Sequence, residues 1–341
     1  MNDPHVAMIG AGALGGSMAG ALLRAGARVT IIDTDAEHVG AINAQGLRVL
    51  NLADEAALPV PAMTAPATGA WADLAIIMTP TYERDAAAAT AAHVLKPGAP
   101  AASLQNGLGN AEVLIEALGA HRVFMGSSKS SADRPAPGQP RITKLDPLTV
   151  GELDGLARPR TEWLAKALTQ GGIPTGISDN IEGVLWSKFI TNCCINALSA
   201  ITGLRMGEVS RTPGLGPLRW EIVQECLAVV QAKGLKLAGP DPIEALKPHT
   251  WRKFTQPSML QMIEAGRPIE IEAINGHLVT EAAALGISVP INRTVTALAR
   301  GRAAALARDR PAAPDYAALT ATAEAEVDRG ETPWEKTETL P

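Results

Sequence analysis

Three glycines, Gly10, Gly12 and Gly15, follow the apolar run His5–Ile9 and precede a helix-forming stretch that reaches about Ala25. Strand, tight turn and helix in that order leave few folds open. Gly10 permits the turn, Gly12 lets backbone approach a pyrophosphate, and Gly15 lets helix and strand pack closely. The helix start then offers N–H donors and partial positive charge to phosphate. Gly10, Ala11, Gly12, Ala13, Leu14 and Gly15 are therefore the expected dinucleotide-binding turn, with an ordinary glycine-rich turn as the alternative. A second strand runs from Arg28 and ends in Asp33. A carboxylate there accepts hydrogen bonds from the adenosine ribose and repels a 2′-phosphate. No Arg or Lys follows within Thr34–Val39, so NAD(H) is expected over NADP(H). A surface aspartate capping the next loop is the plainer alternative.

Further short buried strands are expected over Leu74–Met78 and Ala101–Leu104, with a helix over Ala86–Leu95 between them. The strand over Ala101–Leu104 leads directly into Gln105-Asn106-Gly107. Strands alternating with helices imply a parallel sheet with right-handed crossovers. Val123–Gly151 is richer in Gly, Pro and Ser, and its runs VFMGSS, PRITK and LTVGEL are expected to extend that sheet as additional strands, with parallel and antiparallel pairing both open. A helix is expected over Thr161–Gln170. Beyond about Ile181 strand signals nearly vanish, and helices are expected over 181–200, 217–233, 271–285 and 293–307. The expected fold class is α/β. A Rossmann domain over 1–180 precedes an all-α domain over 181–325, and 326–341 forms a tail expected to be mobile.

The helical half contains the second informative stretch, Val184–Gly203 (VLWSKFITNCCINALSAITG). It is apolar nearly all round, as a buried helix should be. Lys188, Asn192, Asn196 and Ser199 interrupt it at helical spacing. At 100° per residue the later three lie about 40°, 80° and 20° from Lys188, on one face. Such groups are costly inside an apolar helix unless they pair. On residues alone, Lys188 could reach a reacting oxygen or snorkel to solvent. The two amides could bind a ligand or bond neighbouring helices.

The net charge of −5, without a basic stripe, argues against nucleic acid and toward a small-molecule partner. Cys193, Cys194 and Cys226 lack CxxC or Cys/His spacing and are expected to be reduced core thiols, and no metal site is expected. No apolar run approaches the roughly 18 residues of a membrane span, and no basic leader is visible, so a cytoplasmic protein is expected by default.

Three segments together resemble the ketopantoate reductase (2-dehydropantoate 2-reductase) family: GAGALGG, LWSKFITNCCINALSAI, and SMLQMIEAGRPIEIEAINGHL followed by GISVPINRTV. The likeness reaches to about residue 305. It implies hydride transfer between a nicotinamide and a small 2-keto or 2-hydroxy acid, with Lys188 as general acid/base and Glu270 beside it. It implies Asn192, Asn196 and Ser258 as substrate ligands, and Asn106 as a ligand of substrate or nicotinamide ribose. Thr79 joins the cofactor set. Ser258 follows Pro257 and could also cap a helix, and Glu264 and Glu272 compete with Glu270 for its role. Two departures from the family's NADPH-using members stand out. Asp33-Thr34 occupies the place of a basic residue, and Thr81 that of a lysine. Both remove positive charge from the expected 2′-phosphate position. They also open the alternative of an NAD-dependent D-2-hydroxyacid dehydrogenase with another, catabolic substrate. A non-catalytic NAD(H)-binding sensor is the rival of another class. Helical second domains in such enzymes often dimerise, so a homodimer is one expected state.

Overall fold

The computed structural model describes residues 3–239, 244, 246, 247, 250, 251, 254–307, 325 and 329. Strands β1 (His5–Ile9), β2 (Arg28–Ile32), β3 (Ala62–Met63), β4 (Leu74–Ile77), β5 (Ala101–Ser103) and β6 (Val123–Ser127) run parallel in the order 3-2-1-4-5-6. This is the doubly wound order, in which the chain reverses direction across the sheet between β1 and β4. Both strands there are buried on both faces, apart from His5 at the start of β1, so they read as apolar runs rather than alternating ones.

Helices α1 (Ala13–Arg24), α2 (Ala36–Gln45), α3 (Arg84–Val94), α4 (Asn110–Leu118) and α5 (Pro159–Gln170) flank the sheet. One core joins Met8, Ile31 and Ile76 to Leu22 of α1 and Leu164 of α5. The other joins Ala7, Ile9 and Ile77 to Ala88 of α3 and Leu114 of α4. The sheet is extended by β9 (Leu148–Glu152), antiparallel to β6, and β10 (Thr175–Ile177), parallel to β9.

The run PRITK departs from its expected place. It forms β8 (Gln139–Lys144), which pairs with β7 (Ser131–Ala136) in a separate antiparallel hairpin. Pro140 lies against Gly16 of α1, and Ile142 joins the core on that side of the sheet. Burying these residues on α1 is incompatible with joining the main sheet edge.

The helical domain contains α6 (Ile181–Thr202), α7 (Met206–Arg211), α8 (Leu215–Ala232), α9 (Ser258–Glu264), α10 (Asn275–Ala284) and α11 (Pro290–Ala307). The Asn180 side chain accepts from the Gly183 N–H at the start of α6, and Gly203 (φ 78°) ends it in the left-handed region. Phe189, Ile190, Cys193 and Leu198 of α6 pack with Val223, Val229 and Leu278. The three thiols are free and buried, as expected. The expected helix over 271–285 is broken. A 3-10 turn (Ile271–Ala273) precedes α10, and Ile274 (φ −112°, ψ −107°) departs from helical geometry between them. The expected final helix and mobile tail lie outside the described residues, except Ala325 and Arg329.

α6 corrects the expectation about apolar length. Among the described residues it is long and apolar enough to cross a membrane, although Lys188 and the two amides interrupt any unbroken run. With 61% of its most apolar window buried against the protein, α6 has the character of a core helix. Phe189, 2% exposed, meets Trp186 edge-on with ring centroids 5.2 Å apart. Phe189→Ala should cost about 3–5 kcal/mol, read as a lower urea midpoint; an unchanged midpoint would contradict α6 as the centre of this core.

Candidate active site

The glycine turn lies where β1 and β4 end. Gly10 has φ +84°, and a Cβ there would stand 2.7 Å from the Thr79 amide nitrogen. A Cβ on Gly15 would stand 2.1 Å from the Gly10 carbonyl oxygen. Gly12 has no neighbour within 4 Å of that position. Two glycines are thus required by packing, and the third borders open space. α1 begins after Gly12 with no side-chain cap and no acid in its first turn, so its first N–H groups remain available to an anion. These residues fit a dinucleotide pyrophosphate.

Asp33 braces this turn. Its Oδ2 accepts the Ala11 N–H at 2.7 Å, and its Oδ1 accepts the Asp35 N–H at 3.0 Å. Each carboxylate oxygen keeps a further lone pair for a ribose hydroxyl. His38, which the sequence pattern does not single out, braces the same turn from below. The Gly138 N–H donates to Nδ1 (2.9 Å), so Nε2 carries the proton and donates to the Ala11 carbonyl (2.8 Å). Burial holds the pKa of this imidazole below its ordinary value. Two further groups surround Asp33. Burial, and then the charge of Asp33, raise the pKa of the Glu83 carboxyl. Arg134 of β7 pairs with Asp35 at 2.6 Å. Thr79 accepts from Gln105 Nε2 at both its carbonyl (3.0 Å) and its hydroxyl (3.1 Å), tying the ends of β4 and β5.

Asn106 follows β5, and its Oδ1 accepts from the Lys188 ammonium at 2.8 Å. The contact crosses from sheet to helical domain. Gly107 makes the approach possible: its φ is +72°, and a Cβ would stand 2.4 Å from the Ala273 carbonyl oxygen. The next N–H, of Leu108, donates to that same carbonyl at 3.0 Å. Lys188 is half-buried, with its ammonium deep among protein atoms. Burial brings its pKa down to about 8; the Glu270 carboxylate pulls it up, and Lys129 beyond β6 pushes it down.

The other expected site residues divide. Glu270 is buried and acts electrostatically on Lys188, but it lies before the 3-10 turn rather than on a helix. Its Oε1 accepts from the N–H (2.9 Å) and hydroxyl (3.1 Å) of Thr81. Asn196 and Ser258 come together: Asn196 Oδ1 accepts from the Met259 N–H (3.3 Å) and the Ser258 hydroxyl (3.5 Å). Ser258 is the first residue of α9 and Pro257 its N-cap, so the serine does not cap the helix itself. Asn192 is half-buried one turn from Lys188, and no hydrogen bond ties its side chain within the described residues. The Ser199 hydroxyl is sealed without a partner. Outside that set, Glu152 ends β9 buried against Arg160 and Arg158.

Two family models match, one described as ketopantoate reductase PanE/ApbA over residues 6–155, the other as its C-terminal part over 180–303. A 2-dehydropantoate 2-reductase of Halobacterium salinarum is 30% identical over 87% of this chain and 98% of its own length. One of Archaeoglobus fulgidus is 30% identical over 88% and 98%. Among solved structures, a PanE/ApbA family ketopantoate reductase from Ralstonia eutropha JMP134 superposes with a TM-score of 0.81 at 32% identity, covering 89% of this chain and 99% of its own. A D-mandelate dehydrogenase solved with NADH and anilino(oxo)acetate shares the fold, with a TM-score of 0.79 at 24% identity over 89% and 99%. Substitution of Gly15 by Ala should abolish dinucleotide binding in a fluorescence titration, because the added carbon would displace the Gly10 carbonyl; unchanged affinity would rule out this turn as the phosphate cradle.

Proposed function

The chain belongs to the ketopantoate reductase family of NAD(P)-dependent oxidoreductases acting on CH–OH groups, and from that premise we propose that it interconverts a small 2-keto acid and its 2-hydroxy acid with NAD(H) and Lys188 as acid/base. The reference pair is 2-dehydropantoate and pantoate. One observation carries the reading: an ammonium with a pKa near 8, held by Asn106 at the carboxyl end of β5, on the sheet edge that also carries the glycine turn.

When bound, the dinucleotide supplies hydride from C4 of its reduced ring to the carbonyl carbon, leaving NAD⁺. Negative charge then builds on the carbonyl oxygen. Lys188 stabilises that charge and donates its proton there, giving the hydroxyl, and is reprotonated from solvent. Asn106 accepts from Lys188 and so orients the ammonium. Asn192, with no competing protein bond, is suited to a substrate oxygen. Asn196 and Ser258 are proposed to receive the carboxylate end.

Three carboxylates support the NAD(H) preference. Asp33, Asp35 and Glu83 crowd the end of β2, and the one cation that pairs there among the described residues, Arg134, is engaged by Asp35. A 2′-phosphate would meet net negative charge. A homodimer and a cytoplasmic setting complete the proposal. The second reading, a dehydrogenase of another 2-hydroxy acid, is favoured by the same acidic cluster.

Lys188→Ala should lower kcat by about 10²–10⁴ while the Kd for NADH stays nearly constant; near-normal turnover would sink the acid role. The sign of the pH dependence follows from the site. Reduction needs the ammonium and should decline as pH rises through about 8, whereas oxidation needs the neutral amine and should rise through it. Reduction rising and oxidation falling through that pH would contradict the assignment. A panel of 2-keto acids with NADH and NADPH checks the rest: NADH should be preferred, and a bulkier acid far outpacing ketopantoate would select the second reading.

A further inference from the structure

We propose that Thr81 is a positioning residue for Glu270, fixing where that carboxylate stands relative to Lys188. The inference rests on the acid/base reading of Lys188. Thr81 and Glu270 are 5% and 4% exposed and lie on different domains. Thr81 sends both its donors, N–H at 2.9 Å and hydroxyl at 3.1 Å, to one oxygen, Oε1. Two donors on one oxygen anchor that oxygen against the turn at Thr81. The second oxygen takes no hydrogen bond from the described residues and is not among the sealed, unpartnered atoms. It therefore keeps an open surface.

The donors are neutral, which matters as much as their geometry. A cation beside Glu270 would cancel its field, but an amide and a hydroxyl hold it in place with its charge intact. The charged groups bearing on Lys188 are then Glu270, which favours the ammonium, and Lys129, which opposes it. Tyr82 lies within the field of Glu270, and Arg267 acts on Tyr82. Distance decides the balance, and Thr81 sets the Glu270 distance. Pro80 (φ −56°) leads into the 3-10 turn Thr81–Glu83, so the donor pair is presented by constrained backbone.

The backbone donor survives substitution, so side-chain variants isolate the hydroxyl. Thr81→Val keeps the shape and removes the donor; Thr81→Ala replaces it if Val does not fold, and Thr81→Ser restores the donor. The loss of a hydrogen bond to a charged group should lower kcat about tenfold with little change in KM. It should also move the limb near pH 8 of the reductive profile to lower pH, since a less firmly placed Glu270 supports the ammonium less. Thr81→Ser should recover both. Thr81→Lys, which adds a cation beside Glu270, should move the limb further down. In a Glu270→Gln background, Thr81→Val should add nothing. An unmoved limb with unchanged kcat, or full additivity with Glu270→Gln, overturns the proposal. Failure of the premise looks different: Lys188→Ala would then retain turnover whatever Thr81 does.

Discussion

A cation inside a protein requires an acceptor, and Lys188 finds one across the boundary between sheet and helices. The 2.8 Å contact with Asn106 joins the carboxyl end of β5 to the middle of α6. Much else follows from making that contact possible. The turn at Asn106-Gly107 must touch the Ala273 carbonyl, which only a glycine allows at so short a distance. That approach brings Glu270 within reach of Thr81. The two domains thus meet through these polar groups as well as an apolar seam, in which Ile181, Val184 and Leu185 of α6 pack on the core of the sheet, and the polar groups are the candidate chemistry.

The two halves of the site rest on different physics. At the glycine turn, shape dominates: Gly10 and Gly15 exclude side chains, and Asp33 and His38 pin the Ala11 peptide from both sides. At Lys188, charge dominates: burial lowers the ammonium's pKa, Glu270 opposes that, and the result is about 8. A shape site tolerates little change in backbone. A charge site is adjustable by groups that never touch the reacting atoms.

Much of the fold is legible in local pattern. β1, β2 and β4 are short apolar runs bounded by turns, and α6 carries its own cap and its own polar face. β8 has the right local character, yet pattern alone does not reveal which partner a strand selects; Pro140 and Ile142 choose α1. β10 is three residues long and mostly exposed, so no apolar signal marks it. In the site, Lys188 announces itself as a charge in an apolar helix. Thr81, His38 and Arg134 do not, because each acts on a residue far along the chain: Glu270, Gly138 and Asp35. A lone polar residue gives no local sign of such a partner.

The hairpin of β7 and β8 has the outward look of an insertion. Its tip, however, supplies the Gly138 N–H that fixes the His38 tautomer, and His38 in turn holds the Ala11 carbonyl. The glycine turn near residue 10 therefore depends on backbone more than a hundred residues later. A minimal binding module cut from this chain at the end of β6 would keep all three glycines and lose the brace that shapes the peptide between them. To keep that brace, a piece has to extend past Gly138.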